Sequence, residues 1–190
     1  MSSGGPPTAT ITAPATGTLW KVGDKIAFSG LATDPVDGQL PPSALSWKLI
    51  LHHCTTDLNT CHTHDIQTWT GVSRGTFTAP DHEYPAYLEL QLTATDSRGL
   101  STTSLRLDPR TVQLTLASTP GGLNVTLDGT TAPAQIIKTV IQNSTHTVAA
   151  ASQDIGKRSY QFSKWSDAGP ATHTIVVSAT SKLTATFKKT

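Results

Sequence analysis

Between Tyr87 and Thr95 the sequence alternates without a break, with Leu88, Leu90, Leu92 and Ala94 in one register and Tyr87, Glu89, Gln91, Thr93 and Thr95 in the other. Successive side chains of a strand point to opposite faces. This period of two therefore specifies a strand with one face in a core and the other in water. The pattern recurs along the chain. Short alternating runs at 9–13, 25–33, 45–53, 62–70, 75–79, 87–95 and 100–107 end in Gly, Pro, Asp or Ser. A second series follows at 112–117, 123–127, 135–139, 146–151, 159–165, 172–178 and 183–187, with the tight-turn dipeptide Asp128-Gly129 inside it. Evenly spaced short strands with turn residues between them are the signature of antiparallel sandwiches. The rhythm pauses at Asp108-Pro109-Arg110. The expected architecture is all-β, as two tandem antiparallel β-sandwich domains, one over 8–109 and a smaller one over 111–190.

Composition narrows the function. Thr is abundant, there are 14 Gly and 12 Pro, and runs of helix formers at helical spacing are absent. A formal net charge of +1, with 14% charged residues, provides no basic field for a phosphate backbone or an anionic bilayer, so nucleic acid and membrane surfaces are not expected partners. No stretch approaches the roughly eighteen continuous apolar residues of a membrane span. Residues 1–7 lack the apolar core of a signal peptide, and the chain reads as part of a longer protein.

Three groups of residues carry potential chemistry. The first surrounds the two cysteines, Cys54 and Cys61, which flank a polar stretch that reads as a hairpin loop. A disulfide there would close a ring of about eight residues and contribute at most roughly 2–3 kcal/mol. It would also imply an oxidising compartment, whereas free thiols or metal ligands would not. If the two cysteines oppose one another, His53 falls across from His62, and His64 projects from the same face one step along. Three imidazoles on one hairpin face suit Zn²⁺ or Cu²⁺, with His82 and Glu83 available to close the site. Leu49 and Leu51 share that face, so the alternative is that the histidines cap the end of the core.

The second group is acidic. Asp34, Asp37 and Asp96 lie in Gly-containing turns, where short carboxylates bond their own backbone. The same carboxylates also offer the oxygen ligands that Ca²⁺ prefers. The third group is aromatic. A sugar-binding face needs a planar ring flanked by amides and carboxylates, and Trp69, then Trp165 beside Asp167, are the residues expected to provide one. Trp47 is expected to face the core. Asn124 and Asn143 fit the glycosylation acceptor pattern. There is no Gly-x-Ser-x-Gly elbow, phosphate-binding glycine loop or His-Glu-x-x-His, and the chain reads as non-catalytic.

The stretch Gly23-Asp24-Lys25-Ile26-Ala27-Phe28-Ser29-Gly30, then Ala32-Thr33-Asp34-Pro35-Val36-Asp37-Gly38 and later Leu92-Thr93-Ala94-Thr95-Asp96-Ser97-Arg98-Gly99, resembles a PKD-like or cadherin-like Ig-type sandwich. Leu45-Ser46-Trp47, His52-His53, His62-Thr63-His64 and Pro80-Asp81-His82-Glu83 resemble the C-terminal modules of secreted quinone-dependent sugar dehydrogenases and related glycoside-processing enzymes. In the second half, Tyr160 to Gly169 and Leu183 to Phe187 are similar to small β repeats of extracellular proteins. The resemblance implies a secreted, non-catalytic accessory module, covalently linked to a catalytic domain and attached to polysaccharide, glycan or cell surface. A structural spacer that stabilises the neighbouring domain and a histidine-based metal-binding protein are the alternatives. The two cysteines are not a general feature of such modules, so the disulfide is expected to be this chain's own addition.

Overall fold

Period-two alternation becomes strand wherever it occurs in the described residues. The computed structural model describes residues 4–55 and 60–190. The fold is all-β and mostly antiparallel, and the chain divides into two compact units, Met1–Arg110 and Thr111–Thr190. No helix is long and apolar enough to cross a membrane.

In the first unit, β1 (Thr8–Ala13), β2 (Lys25–Asp34), β3 (Gly38–Gln39) and β6 (Arg74–Thr78) form one sheet, in which β2 pairs with the other three. The second sheet has the order β5-β4-β7-β8, from β4 (Leu45–Cys54), β5 (Cys61–Thr70), β7 (Ala86–Asp96) and β8 (Gly99–Leu107). The inward residues are those picked out by alternation. Trp47, Leu49 and Leu51 of β4 and Leu88, Leu90, Leu92 and Ala94 of β7 are buried, as are Ile26, Phe28 and Ala32 of β2. The two sheets meet at Phe28, whose ring lies 4.7 Å from Trp47 and 4.8 Å from Trp69. Gly30 permits that approach, since a Cβ there would stand 2.6 Å from Leu92 Cδ2 and 2.7 Å from the Thr10 carbonyl.

The second unit contains β9 (Thr111–Thr119), β10 (Asn124–Leu127), β11 (Thr130–Pro133), β12 (Ile136–Ile141), β13 (Ser144–Ala149), β14 (Gln153–Ile155), β15 (Arg158–Trp165), β16 (Thr172–Val177) and β17 (Ser181–Lys189). They form a sheet β11-β10-β13-β16 and a sheet β12-β9-β17-β15-β14. The expectation of a purely antiparallel unit is corrected here. β17 runs parallel to β9, pairing Leu183 with Leu116 and Ala185 with Ser118. The first and last strands enter the middle of one sheet from the same end, and every other strand of the unit lies between them in sequence, so no hairpin constrains their direction. Leu114, Leu116, Val125, Leu127, Val148, Trp165, Ala185 and Phe187 share one core.

Three strands are absent from the alternation reading: β3, β11 and β14. They are two to four residues long and polar, and each is held as a hairpin partner rather than by an apolar face. The Asp128-Gly129 turn between β10 and β11 has positive φ at both residues, 49° and 80°, as a type I′ hairpin requires.

Candidate functional site

The cysteine hairpin sets the geometry of the histidines. Cys54 and Cys61 are cross-strand partners joined by a disulfide, and His53 pairs with His62 beside them. Residues 56–59 of the intervening loop lie outside the described residues. On β4 the inward face runs Trp47, Leu49, Leu51 and His53, so the imidazole occupies the last inward position, beyond the buried leucines. β5 reaches the same face by a different route. Trp69 pairs with Trp47 and Gln67 with Leu49, but the next pair is Ile50 with Asp65, which leaves Ile66 as an extra residue. This β-bulge shifts the face of every residue beyond it. Consequently His64 and His62, rather than Asp65 and Thr63, stand opposite the inward positions Leu51 and His53.

Three imidazoles converge there. One ring nitrogen from each of His53, His62 and His64 lies within 4.8 Å of the others. Ring centroids are 4.9 Å apart for His53–His62 and 4.8 Å for His62–His64. His82 joins the group with its ring 4.7 Å from His53 and 6.0 Å from His64. Its Nδ1 sits 3.1 Å from the Glu83 carbonyl, so an Nδ1–H donated there would fix the ring and leave Nε2 free to ligate, although His82 lies outside the set of nitrogens that converge within 4.8 Å. Glu83 thus meets the cluster through its backbone oxygen. Its carboxylate is outside the set of converging ligand atoms and acts on His53 as a nearby negative charge. His53 is half-buried, and His62 and His64 are exposed. Burial lowers the His53 pKa below the ordinary imidazole value, and His82, His62 and His64 push in the same direction against Glu83. His53 is therefore biased toward the neutral form that ligates metal.

The donor set fits a borderline transition metal. Zn–N distances of about 2.0–2.1 Å place tetrahedral ligand nitrogens roughly 3.4 Å apart, so nitrogens within 4.8 Å of one another need to close by at most about 1.4 Å, which the exposed side chains of His62 and His64 can do by rotation. His52 points the other way. Its Nε2 lies 2.7 Å from Glu89 Oε2 and its ring stacks on Tyr87, which also carries the Arg106 guanidinium 3.8 Å from its centroid.

The acidic group also assembles, with a cation of its own. Asp34 Oδ1 accepts the backbone N–H groups of Val36 and Asp37, and Asp96 Oδ1 accepts those of Arg98 and Gly99. Arg98 Nη1 then lies 3.2 Å from Asp34 Oδ1, 2.6 Å from Asp37 Oδ2 and 3.7 Å from Asp96 Oδ2. The three carboxylates are close enough to coordinate one ion, and the buried Oδ2 atoms of Asp34 and Asp96 carry no hydrogen bond. Oxygen donors of this kind are compatible with Ca²⁺. Arg98 was the member that sequence reading missed, although its position two residues after Asp96 in the same turn was the available signal. The Asp34 carboxyl is held below its ordinary pKa chiefly by the Asp37 backbone N–H; burial opposes this, and the Val36 N–H and the Arg98 guanidinium reinforce it.

Protein-family models, curated proteins and solved structures offer no match to this chain.

The aromatic expectation needs correction at one position. Trp165 is 1% exposed and donates its indole N–H to the Ala171 carbonyl at 3.1 Å, so neither ring face is available to a sugar. Alternation from Tyr160 and Phe162 puts Lys164 inward and Trp165 outward, but Ser163 is an extra residue between the pairs Phe162↔Phe187 and Lys164↔Thr186, and this bulge turns Trp165 to the core opposite Ala185. Asp167 accepts the Gly169 N–H and lies 2.9 Å from His173 Nε2, which makes it a turn residue. Trp20 and Trp47 are likewise buried and donate to the carbonyls of Leu107 and Val72. Trp69 is half-buried, with Phe28 against its ring.

A second polar network escaped the sequence. His146 Nε2 lies 2.8 Å from Ser144 Oγ and its Nδ1 lies 2.8 Å from Asp128 Oδ2, the order of a hydrolase relay. Ser144 is 1% exposed and 2.6 Å from the Ile141 carbonyl, so its oxygen is enclosed where no substrate carbonyl reaches it.

Proposed function

We propose that this chain is a non-catalytic, extracellular accessory module whose binding chemistry is a transition-metal site built from His53, His62 and His64, with His82 as the fourth imidazole. The convergence of three ring nitrogens within 4.8 Å at the end of one disulfide-tied hairpin carries this reading. Imidazole nitrogen suits Zn²⁺ and Cu²⁺, and the rings of His53, His62, His64 and His82 lie against one another. The disulfide supports an oxidising compartment and hence secretion. The residues of the first half that resemble PKD-like sandwiches, and those of the second that resemble small β repeats of extracellular proteins, support reading the chain as a pair of modules appended to a larger carbohydrate-active protein. In that setting a metal site at the tip of a hairpin ties the module to a metal-bearing ligand or rigidifies the tip itself. The glycan-binding alternative rests now on Trp69, since Trp165 is internal.

Isothermal titration of Zn²⁺ and of Cu²⁺ into the chain and into His62→Ala/His64→Ala tests the proposal. One ion per chain, lost in the variant while its far-ultraviolet spectrum is unchanged, is the expected result. Absence of stoichiometric binding in the parent chain removes the reading and leaves the spacer role.

A further inference from the structure

The histidine register of β5 is not the register in which that strand begins. From Ser46↔Thr70 to Leu49↔Gln67 the hairpin follows one pairing, and from Ile50↔Asp65 to Cys54↔Cys61 it follows another, displaced by the single residue Ile66. A strand without the bulge would continue the first pairing. Leu51 would then face Asp65 and His53 would face Thr63, while His62 and His64 would fall opposite Cys54 and His52 on the outer face. A one-residue slip exchanges the two faces of a strand, so the bulge decides whether the cluster exists.

Three observations bear on what holds the bulged pairing. β5 is the edge of its sheet and pairs with β4 alone among the described strands. β4 is held on its other side by β7 as far as His53↔Ala86, and its Cys54 N–H donates to the Pro85 carbonyl. Ile66, the extra residue, is 40% exposed, so burial of its side chain does little to anchor it. The one covalent pin on the shifted segment is the Cys54–Cys61 bond, which is compatible with the bulged pairing and not with the unbulged one, where Cys54 opposes His62.

Resting on the metal reading above, we infer that the Cys54–Cys61 disulfide is a redox control on that site: oxidation locks the register that gathers the imidazoles, and reduction releases it. A dithiol reductant supplies two electrons and two protons. The S–S bond becomes two thiols and the dithiol closes to its own disulfide. The thiols freed do not replace the lost ligands, because Cys54 and Cys61 alternate with His53 and His62 and so project from the opposite face of the hairpin. Reduced chain therefore binds more weakly, by about tenfold or more, the expected cost of losing a preorganised ligand set.

The test measures Zn²⁺ affinity by competition with a chromogenic chelator in thiol-free buffer. It compares the oxidised chain, Cys54→Ala/Cys61→Ala, and the same double variant with Ile66 deleted, each checked for folding by circular dichroism. Deleting Ile66 makes the two pairings continuous, so the histidines stay inward without the disulfide. The inference expects tight binding, weak binding and recovered binding in that order. Equal affinity in the oxidised chain and the double variant overturns the inference and leaves the metal site standing. Failure of the Ile66 deletion to restore affinity overturns the register mechanism. No binding by the oxidised chain removes the metal reading itself, and this inference with it.

Discussion

Replacing Asp128 by Ala tests whether the buried polar network of the second unit is structural. The Asp128 side chain serves three groups. Oδ1 accepts the Thr147 N–H at 3.0 Å, and Oδ2 lies 2.8 Å from His146 Nδ1 and 3.2 Å from Lys138 Nζ. His146 is 4% exposed, so its orphaned Nδ1 faces a desolvation cost of about 1–3 kcal/mol. The unpaired Thr147 N–H adds roughly 1 kcal/mol, and Ala in the left-handed conformation that Asp128 holds adds about 1–2 kcal/mol. Lys138 is one-third exposed and its contribution is small. The total is about 3–6 kcal/mol, or two to four powers of ten in an opening equilibrium. Native-state amide exchange on β13, which reports this unit directly, is the assay. Asp128→Asn tolerates the left-handed backbone and keeps an acceptor for Thr147, so it should lose less than half as much. Burial raises the Asp128 pKa, but His146, the Thr147 N–H and Lys138 together outweigh it and hold the value below the ordinary one. The carboxylate's stabilisation is therefore present above the unfolded carboxyl pKa and fades as pH falls through the folded value, so the gap between the parent chain and Asp128→Ala should narrow there toward the pH-independent cost of the left-handed backbone. A loss below 1 kcal/mol, or an Asn variant as damaged as Ala, would refute the reasoning.

Gly30→Ala in β2 sets a Cβ against the Thr10 carbonyl and Trp47 as well as Leu92, and backbone cannot give way cheaply; a lower urea midpoint corresponding to about 1–3 kcal/mol is expected. Arg98→Gln removes the cation facing Asp34, Asp37 and Asp96. It should destabilise the first unit at neutral pH and raise the pH of acid unfolding, because the depressed Asp34 pKa contributes stability only above the folded value; thermal melts between pH 3 and 7 measure both effects.

The legible part of this molecule is what period-two alternation can encode. Trp47, Leu88, Leu90 and Leu92 declared an inward face because polar residues stand between them, and the cysteine pairing placed His53 across from His62 from spacing alone. What stayed hidden depends on geometry that alternation does not carry. The bulge at Ile66 leaves no composition signal, so the Trp69 end of β5 and its histidine end read as one strand in one register. β17 lies parallel to β9 because of chain path, which side-chain pattern does not record. Trp165 falls out of register with Tyr160 and Phe162, and only the bulge at Ser163 turns it to the core. Arg98, Asp34 and Asp96 come together across two turns that are distant in sequence, and only the pairing of the sheets brings them to one point.

The central claim is that the hairpin histidines form one metal site, and the most direct measurement is Zn²⁺ titration of the oxidised chain at pH 7.5 and at pH 5.5, in parallel with His62→Ala/His64→Ala. Protons compete with metal for imidazole nitrogen, whose ordinary pKa is about 6.5. The account predicts one ion per chain at pH 7.5, at least about tenfold weaker binding at pH 5.5, and none in the variant. Binding that survives loss of both histidines, or no binding at pH 7.5, would contradict it.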